Sequence, residues 1–150
     1  MAQQSRTRFL SLDVGDRRIG VAAGSMETGL ARPLEIIDRS RGDALVWRRL
    51  RELVKEEKAG AILVGDPLNM DGSVGPRAEV SRQFANWLRG AIRQVNVILQ
   101  DERLSTFAAE EWMDRDGVKP SKRDAWRDAY AAAVILADFL QAKRDAAAEE

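Results

Sequence analysis

The chain contains no cysteine and no histidine among its 150 residues. Without cysteine it can form neither disulfides nor zinc fingers and has no thiol nucleophile, which fits a reducing cytosol. Without histidine it lacks the commonest general base and the commonest transition-metal ligand. Any enzymatic chemistry must therefore rest on Asp, Glu, Lys, Ser or a metal-bound water.

The chain also lacks net charge and long apolar runs. Lys and Arg number 24, against 24 Asp and Glu, so any contact with nucleic acid must come from local basic patches. No segment has the length and apolarity of a signal peptide or a membrane span, so we expect a cytoplasmic protein without a membrane partner. The length predicts one domain over residues 1–150, with loose tails at 1–7 and about 143–150.

The spacing of apolar residues predicts the order of the secondary structure. The predicted strands are 8–14, 19–23, 33–37, 61–64 and 95–100, and the predicted helices are 43–58, 76–91, about 105–115 and 122–143. In the second helix we expect Val80, Phe84, Trp87 and Leu88 to point inward. This β-β-β-α-β-α-β-α-α order indicates an α/β fold with a mixed sheet and helices on both faces, as in the RNase H-like fold.

Three acidic residues stand at the ends of predicted core elements. Asp13 closes the first strand on the face opposite its main apolar set. Glu102 and Asp101 close the last strand, whose alternation directs only one of them to a common site. Asp128 extends the apolar stripe of the last helix. Acids in such places indicate a carboxylate metal site of the kind that serves phosphoryl transfer, although a turn cap, a solvated turn or an ion pair explains each residue taken alone.

Two further acids and several polar groups lie near these three in the sequence. Asp124 precedes Asp128 by one helical turn, and Asp66 ends its own strand, so both are further candidate ligands with Asp101. The start of the third helix offers free N–H groups to an anion, and a neighbouring arginine offers a guanidinium that matches phosphate. The candidate substrate-binding residues are Arg17, Arg18, Asn69, Arg103, Ser105, Thr106 and Arg123.

Four ordered motifs resemble those of the YqgF/RuvX-like group, which is described both as pre-16S rRNA nucleases and as Holliday-junction-resolvase-like proteins. The motifs are LDVGDRRIGVA at 12–22, GDPLNMDGS at 65–73, DERLST at 101–106 and DAYAA at 128–132. The resemblance runs from about residue 8 to 141. It implies an RNase H-like nuclease of the bacterial cytoplasm that matures the 5′ end of 16S rRNA, and some members of the group are linked to branched-DNA cleavage.

The resemblance also implies a particular site. It places metal ligands at Asp13, Glu102 and Asp128, and so favours Glu102 over Asp101. It implies two Mg²⁺ or Mn²⁺ ions and a nucleic-acid partner, with pre-rRNA favoured over structured DNA and with ribosome precursors and a homodimer left open. One departure concerns Asp66, where the group usually has an apolar residue. We interpret Asp66 as a turn residue before a proline rather than as a fourth ligand.

Two other classes of protein remain open from the sequence. A binding protein could dock pre-rRNA or a ribosome precursor through its basic groups without turnover. An actin-like ATPase module could use the Asp-x-Gly sequence before a hairpin for nucleotide phosphates, but that architecture needs two such domains and 150 residues hold one. Metal-dependent cleavage of nucleic acid without ATP distinguishes a nuclease from both.

Overall fold

A computed structural model describes residues 5–102 and 105–149. The strands are β1 (Ser5–Val14), β2 (Arg18–Ser25), β3 (Ala31–Asp38), β4 (Ala59–Asp66) and β5 (Asn96–Asp101). The helices are α1 (Asp43–Glu57), α2 (Pro76–Ala91), α3 (Ser105–Asp116) and α4 (Pro120–Ala148). The predicted order of elements is confirmed.

The five strands form one mixed sheet in the order β3-β2-β1-β4-β5. β1, β2 and β3 pair antiparallel as a meander, whereas β1, β4 and β5 run parallel; α1 leads from the meander to β4, and α2 joins β4 to β5. Parallel strands end at the same edge of a sheet, and here Asp66 pairs directly with Asp101. The carboxyl ends of β1, β4 and β5 therefore bring the acids that close them to one edge.

Helices cover both faces of the sheet, as predicted. α1 and α2 pack on the face that carries Leu10, Leu12 and Val14 of β1. α4 packs on the other face, where its residues Ile135 and Phe139 share a cluster with β1 and β4, and α3 packs against α4. Asp13 alternates with Leu12 and Val14, so it faces α4 rather than solvent. No helix in the described part of the chain is both long and apolar enough to cross a membrane.

The predicted tails are shorter in the structure. β1 begins at Ser5, because the Ser5 N–H donates to the Lys58 carbonyl at 2.9 Å and the Thr7 carbonyl accepts from Met26 N–H at 2.8 Å. The prediction of a loose tail is therefore wrong for residues 5–7. Their polar side chains gave no indication of a strand, but their backbone is paired in the sheet. At the other end α4 continues to Ala148, because its last turn is built of alanine, the strongest helix former.

The inward face of α2 also differs from the prediction. Phe84 and Leu88 are buried as expected, but Val80 is 43% exposed and Trp87 is 50% exposed. The buried face is completed by Ala78, Ser81 and Ala85. Small side chains let a helix approach a sheet closely, which favours this face over one that carries a tryptophan. The inward stripe is therefore rotated towards Ser81, which matters for the site described below.

Close packing of α4 on β2 depends on Gly20, which pairs with Asp13 across the sheet. A Cβ at Gly20 would collide with the backbone of Asp128 and Ala129. The missing side chain thus lets α4 lie directly on β2 and brings Asp128 next to the strand that carries Asp13. The third acid reaches the site through this contact.

We expect Gly20→Ala to destabilise the protein by about 2 kcal/mol, because the new methyl group would overlap backbone that cannot move alone. Gly90→Ala is the matched control, since Gly90 lies in α2 with nothing within 4 Å of its Cβ direction. That substitution should stabilise the protein by roughly 0.5–1 kcal/mol, because alanine favours a helix over glycine. Urea unfolding of both variants checks the prediction, and equal stability of the two would contradict it.

Candidate active site

Three acids from three elements meet at the carboxyl edge of the sheet. Asp13 near the end of β1 is only 8% exposed, and its side chain is hydrogen-bonded to that of Glu102. Glu102 follows β5 directly and lies over Gly65, where a Cβ would be 2.9 Å from its carboxyl carbon. Asp128 of α4 places Oδ2 4.0 Å from the Cβ direction of Gly15, and its charge acts on Asp13.

The surroundings of these acids favour their neutral forms. Burial raises the pKa of Asp13 first, and the charge of Asp128 raises it further. Burial likewise raises the pKa of Glu102, followed by the charge of Asp13 and their hydrogen bond. The hydrogen bond holds the Asp13 pKa down and the Glu102 pKa up, so Glu102 donates and Asp13 accepts. The site therefore keeps a shared proton where a cation would otherwise balance the charge.

Asp128 is half-buried and has charged neighbours of both signs. Burial raises its pKa, while the cations Arg18, Arg77 and Arg127 act in the opposite direction. Arg77 also lowers the pKa of Asp13 and of Glu102. This arginine, the second residue of α2, was not among the residues predicted from the sequence. The sequence feature that could have identified it is the inward face of α2, because Arg77 lies on the same face as the buried residues Ser81, Phe84 and Leu88.

The further candidate ligands differ in their surroundings. Asp66 is buried at the end of β4, and Arg82 of α2 binds both of its carboxylate oxygens, at 3.2 Å through Nε and 2.8 Å through Nη2. Asp101 is exposed. Asp124 has an 83% exposed side chain and lies 3.2 Å from Arg127 and 3.6 Å from Arg18. Asp66 is therefore a partner in an ion pair as well as the residue before a turn.

The predicted substrate-binding residues are only partly gathered around the acids. Arg18 lies beside the site, since its charge acts on Asp128, and Arg17 is exposed in the turn between β1 and β2. Arg123 instead binds Asp114 of α3 and donates to the Val118 carbonyl at 3.0 Å. Asn69 donates to Ser73 Oγ at 2.9 Å and so holds its own loop together.

The remaining substrate-binding predictions fall where the structure is not described. Arg103 and the side chains of Ser105 and Thr106 lie outside the described residues. The backbone of α3 does begin at Ser105, as predicted.

The donor set fits a hard divalent cation. Its ligands would be carboxylate oxygens, which suit Mg²⁺ and Mn²⁺ rather than the softer metals that thiolate and imidazole bind. In residues 5–102 and 105–149, no three acidic side chains stand close enough to hold one ion as they are now arranged. Because Asp13 and Glu102 share a proton, a cation would have to displace it, and binding would release protons.

This protonation predicts a pH dependence of the metal-free protein. With raised carboxyl pKa values, the folded state binds more protons than the unfolded chain above about pH 4, so stability falls as the pH rises. Glu102→Gln should flatten that fall, because it removes a titrating group and a buried charge. Melting temperatures in EDTA between pH 5 and pH 8 test this, with Asp145→Asn as a control in the exposed end of α4. A wild-type melting temperature that rises across this interval would contradict the assignment of protons.

The sheet order and the acids at its carboxyl edge define an RNase H-like α/β protein. Within that class the chain belongs to the family described as "RuvX: Holliday junction resolvase", whose model matches residues 7–142. A relative from Roseiflexus sp. (strain RS-1) is 41% identical over 137 residues, covering 91% of this chain and 96% of its own. One from Geobacillus kaustophilus (strain HTA426) is 46% identical over 140 residues, covering 91% and 99%.

Both relatives bear the name "Putative pre-16S rRNA nuclease". Among solved structures, T. thermophilus RuvC in complex with a Holliday junction substrate superposes with a TM-score of 0.57 at 19% identity. The superposition covers 93% of this chain and 96% of the RuvC chain. At that identity the likeness establishes the fold, and the predicted RNase H-like architecture is confirmed.

Proposed function

We propose that the protein is a nuclease that hydrolyses phosphodiester bonds, with the 5′ end of pre-16S rRNA as its favoured substrate and branched DNA as the second, in the cytoplasm. The observation that carries this proposal is the meeting of Asp13, Glu102 and Asp128 at one sheet edge. Burial there raises the pKa of all three acids, and the neighbouring carboxylates add to the rise at Asp13 and Glu102, as expected of clustered acids without a metal ion between them. The names of the relatives and the junction bound to RuvC support the choice of substrates.

In this mechanism the three acids would hold two Mg²⁺ or Mn²⁺ ions. Such ions supply an activated water and stabilise the leaving oxygen of a phosphodiester. Asp13 is hydrogen-bonded to Glu102 and its charge interacts with that of Asp128, so it would help to hold both ions. Glu102 would give up its proton on loading, while Arg18 and Arg127 oppose the burial that raises the pKa of Asp128. The absence of histidine is then no obstacle, because no side-chain imidazole is needed.

The test is cleavage of matched end-labelled substrates with Mg²⁺ and with Mn²⁺, without ATP. The substrates are a pre-16S rRNA 5′ segment, a single-stranded DNA and a four-way DNA junction. We expect wild-type protein and Asp145→Asn to cleave, and Asp128→Asn to be inactive because it loses a proposed metal ligand. The two variants form a matched pair, since both replace Asp by Asn in the same helix. If wild type and both variants bind the substrates tightly but none of them cleaves, the protein is a pre-rRNA-binding protein and not a nuclease. If Asp128→Asn cleaves as fast as wild type, Asp128 does not belong to the active site.

A further inference from the structure

Arg77 occupies a position on α2 that apolar side chains take elsewhere along the helix. Ser81, Phe84 and Leu88 are all buried and follow Arg77 by 4, 7 and 11 residues. At about 100° per residue, these positions lie within roughly 40° of Arg77 around the helix. Arg77 therefore belongs to the face that α2 turns towards the sheet.

Arg77 is nevertheless exposed, because it precedes the turns of α2 that cover the sheet. Helical side chains lean towards the N-terminus of their helix, so this one extends past the first turn. Its charge acts on Asp13, Glu102 and Asp128 alike. The helix geometry places the guanidinium at the end of α2 nearest the carboxyl edge of the sheet, and its effect on all three acids agrees with that position.

Three other arginines near the site already have partners. Arg82 binds both oxygens of Asp66, and Arg127 donates to Glu110 at 2.8 Å and to Asp124 at 3.2 Å. Arg18 lies 3.6 Å from Asp124. Within the described part of the chain, Arg77 has no hydrogen bond and no ion pair within 4 Å. Its five N–H donors are thus available to a ligand.

We propose that Arg77 binds a phosphate of the nucleic-acid substrate beside the scissile bond and so positions the backbone over the three acids. This inference rests on the proposed nuclease function and names a binding residue for it. A planar guanidinium can hold two phosphate oxygens at once. The three acids repel a phosphodiester, so a cation near them supplies attraction for the phosphate, before and after metal binding.

Binding to labelled probes in EDTA tests this role without requiring cleavage. The probes are the four-way DNA junction and the pre-16S rRNA segment, followed by fluorescence anisotropy. Arg77→Ala should weaken binding about 10–100-fold, because a charge-assisted pair of hydrogen bonds is lost. It should also reduce the slope of log Kd against log salt by about one. Arg77→Lys should fall between, since it keeps the charge without the paired donors.

The matched control is Arg93→Ala, which removes one exposed arginine just beyond the other end of α2 and should leave binding near wild type. A second readout separates substrate binding from a structural role. Arg77→Ala should bind Mn²⁺ at least as tightly as wild type, because a like charge near the ligands has gone. Loss of nucleic-acid binding together with retained Mn²⁺ binding is the expected pair, and a parallel loss of both would assign Arg77 to holding the acids in place.

A scan of single methylphosphonates locates the contact. Neutralising the contacted phosphate should weaken wild-type binding and leave Arg77→Ala unchanged, because the two changes remove the same interaction. Losses that simply add at every phosphate would overturn the proposal, as would equal affinities of Arg77→Ala and Arg93→Ala. The nuclease function can fail separately, since absence of cleavage leaves these binding results intact.

Discussion

Asp13→Asn should reduce cleavage on the order of 10³-fold and leave the metal-free protein at least as stable as wild type. The loss in rate follows because Asp13 is proposed to help to hold both ions, and groups that stabilise charge in a transition state have effects of this size. The gain in stability follows because asparagine keeps the shape of aspartate. It also removes a buried charge that Asp128 repels. Most substitutions of buried residues destabilise, so this combination is distinctive.

The same variant should also lose its thermal response to metal. A ligand at 100 times its Kd stabilises the folded state by about 2.7 kcal/mol, which for a chain of this length raises the melting temperature by roughly 5–10 °C. Wild type and Asp145→Asn should both show that rise with Mg²⁺ or Mn²⁺, and Asp13→Asn should lose most of it. Thermal unfolding with and without metal checks this, and an equal rise in all three proteins would place the ions elsewhere.

Arg82→Ala should destabilise the protein, because it leaves the buried Asp66 carboxylate without its cation. The loss should be smaller than for a fully buried ion pair, since the Arg82 side chain is 41% exposed and water can partly replace it. We expect a melting temperature several degrees below that of wild type. Thermal and urea unfolding measure the change.

Two companion variants separate the ion pair from the rest of α2. Adding Asp66→Asn to Arg82→Ala should restore much of the lost stability, because the uncompensated charge is then gone. Arg82→Lys should retain the charge but lose the bidentate contact with Asp66, so its stability should lie between those of wild type and Arg82→Ala. A melting temperature of Arg82→Ala within about 1 °C of wild type would mean that the pair contributes nothing measurable, as many exposed pairs do.

Most of the architecture could be predicted from periodicity, and the failures have local causes. Strand alternation placed Asp13 on the face opposite Leu12 and Val14, and both faces proved to be covered. The same rule could not decide whether Asp101 or Glu102 points inward, because β5 ends at Asp101 and the alternation of side chains ends with it. The structure turns Glu102 inwards over Gly65, a contact between distant parts of the chain.

Side-chain contacts between different helices and strands could not be predicted from the sequence. The pairing of Asp66 with Arg82 joins residues 16 apart on a strand and a helix, and nothing in their local patterns indicates it. Arg123 lies near the acids in sequence but binds α3, because the angle at which α3 crosses α4 cannot be predicted locally. Arg77 could have been found, since Phe84 and Leu88 fix its face once Trp87 is recognised as exposed.

The most direct test of the central claim is a titration of Mn²⁺ followed by electron paramagnetic resonance, which measures free and bound ion without any substrate. If Asp13, Glu102 and Asp128 form a carboxylate metal site, wild type and Asp145→Asn will bind two ions, and Asp13→Asn will lose both or bind them far more weakly. Affinity should also rise from pH 6 to pH 8 as the shared proton leaves. Equal Mn²⁺ binding by wild type and Asp13→Asn would contradict the account.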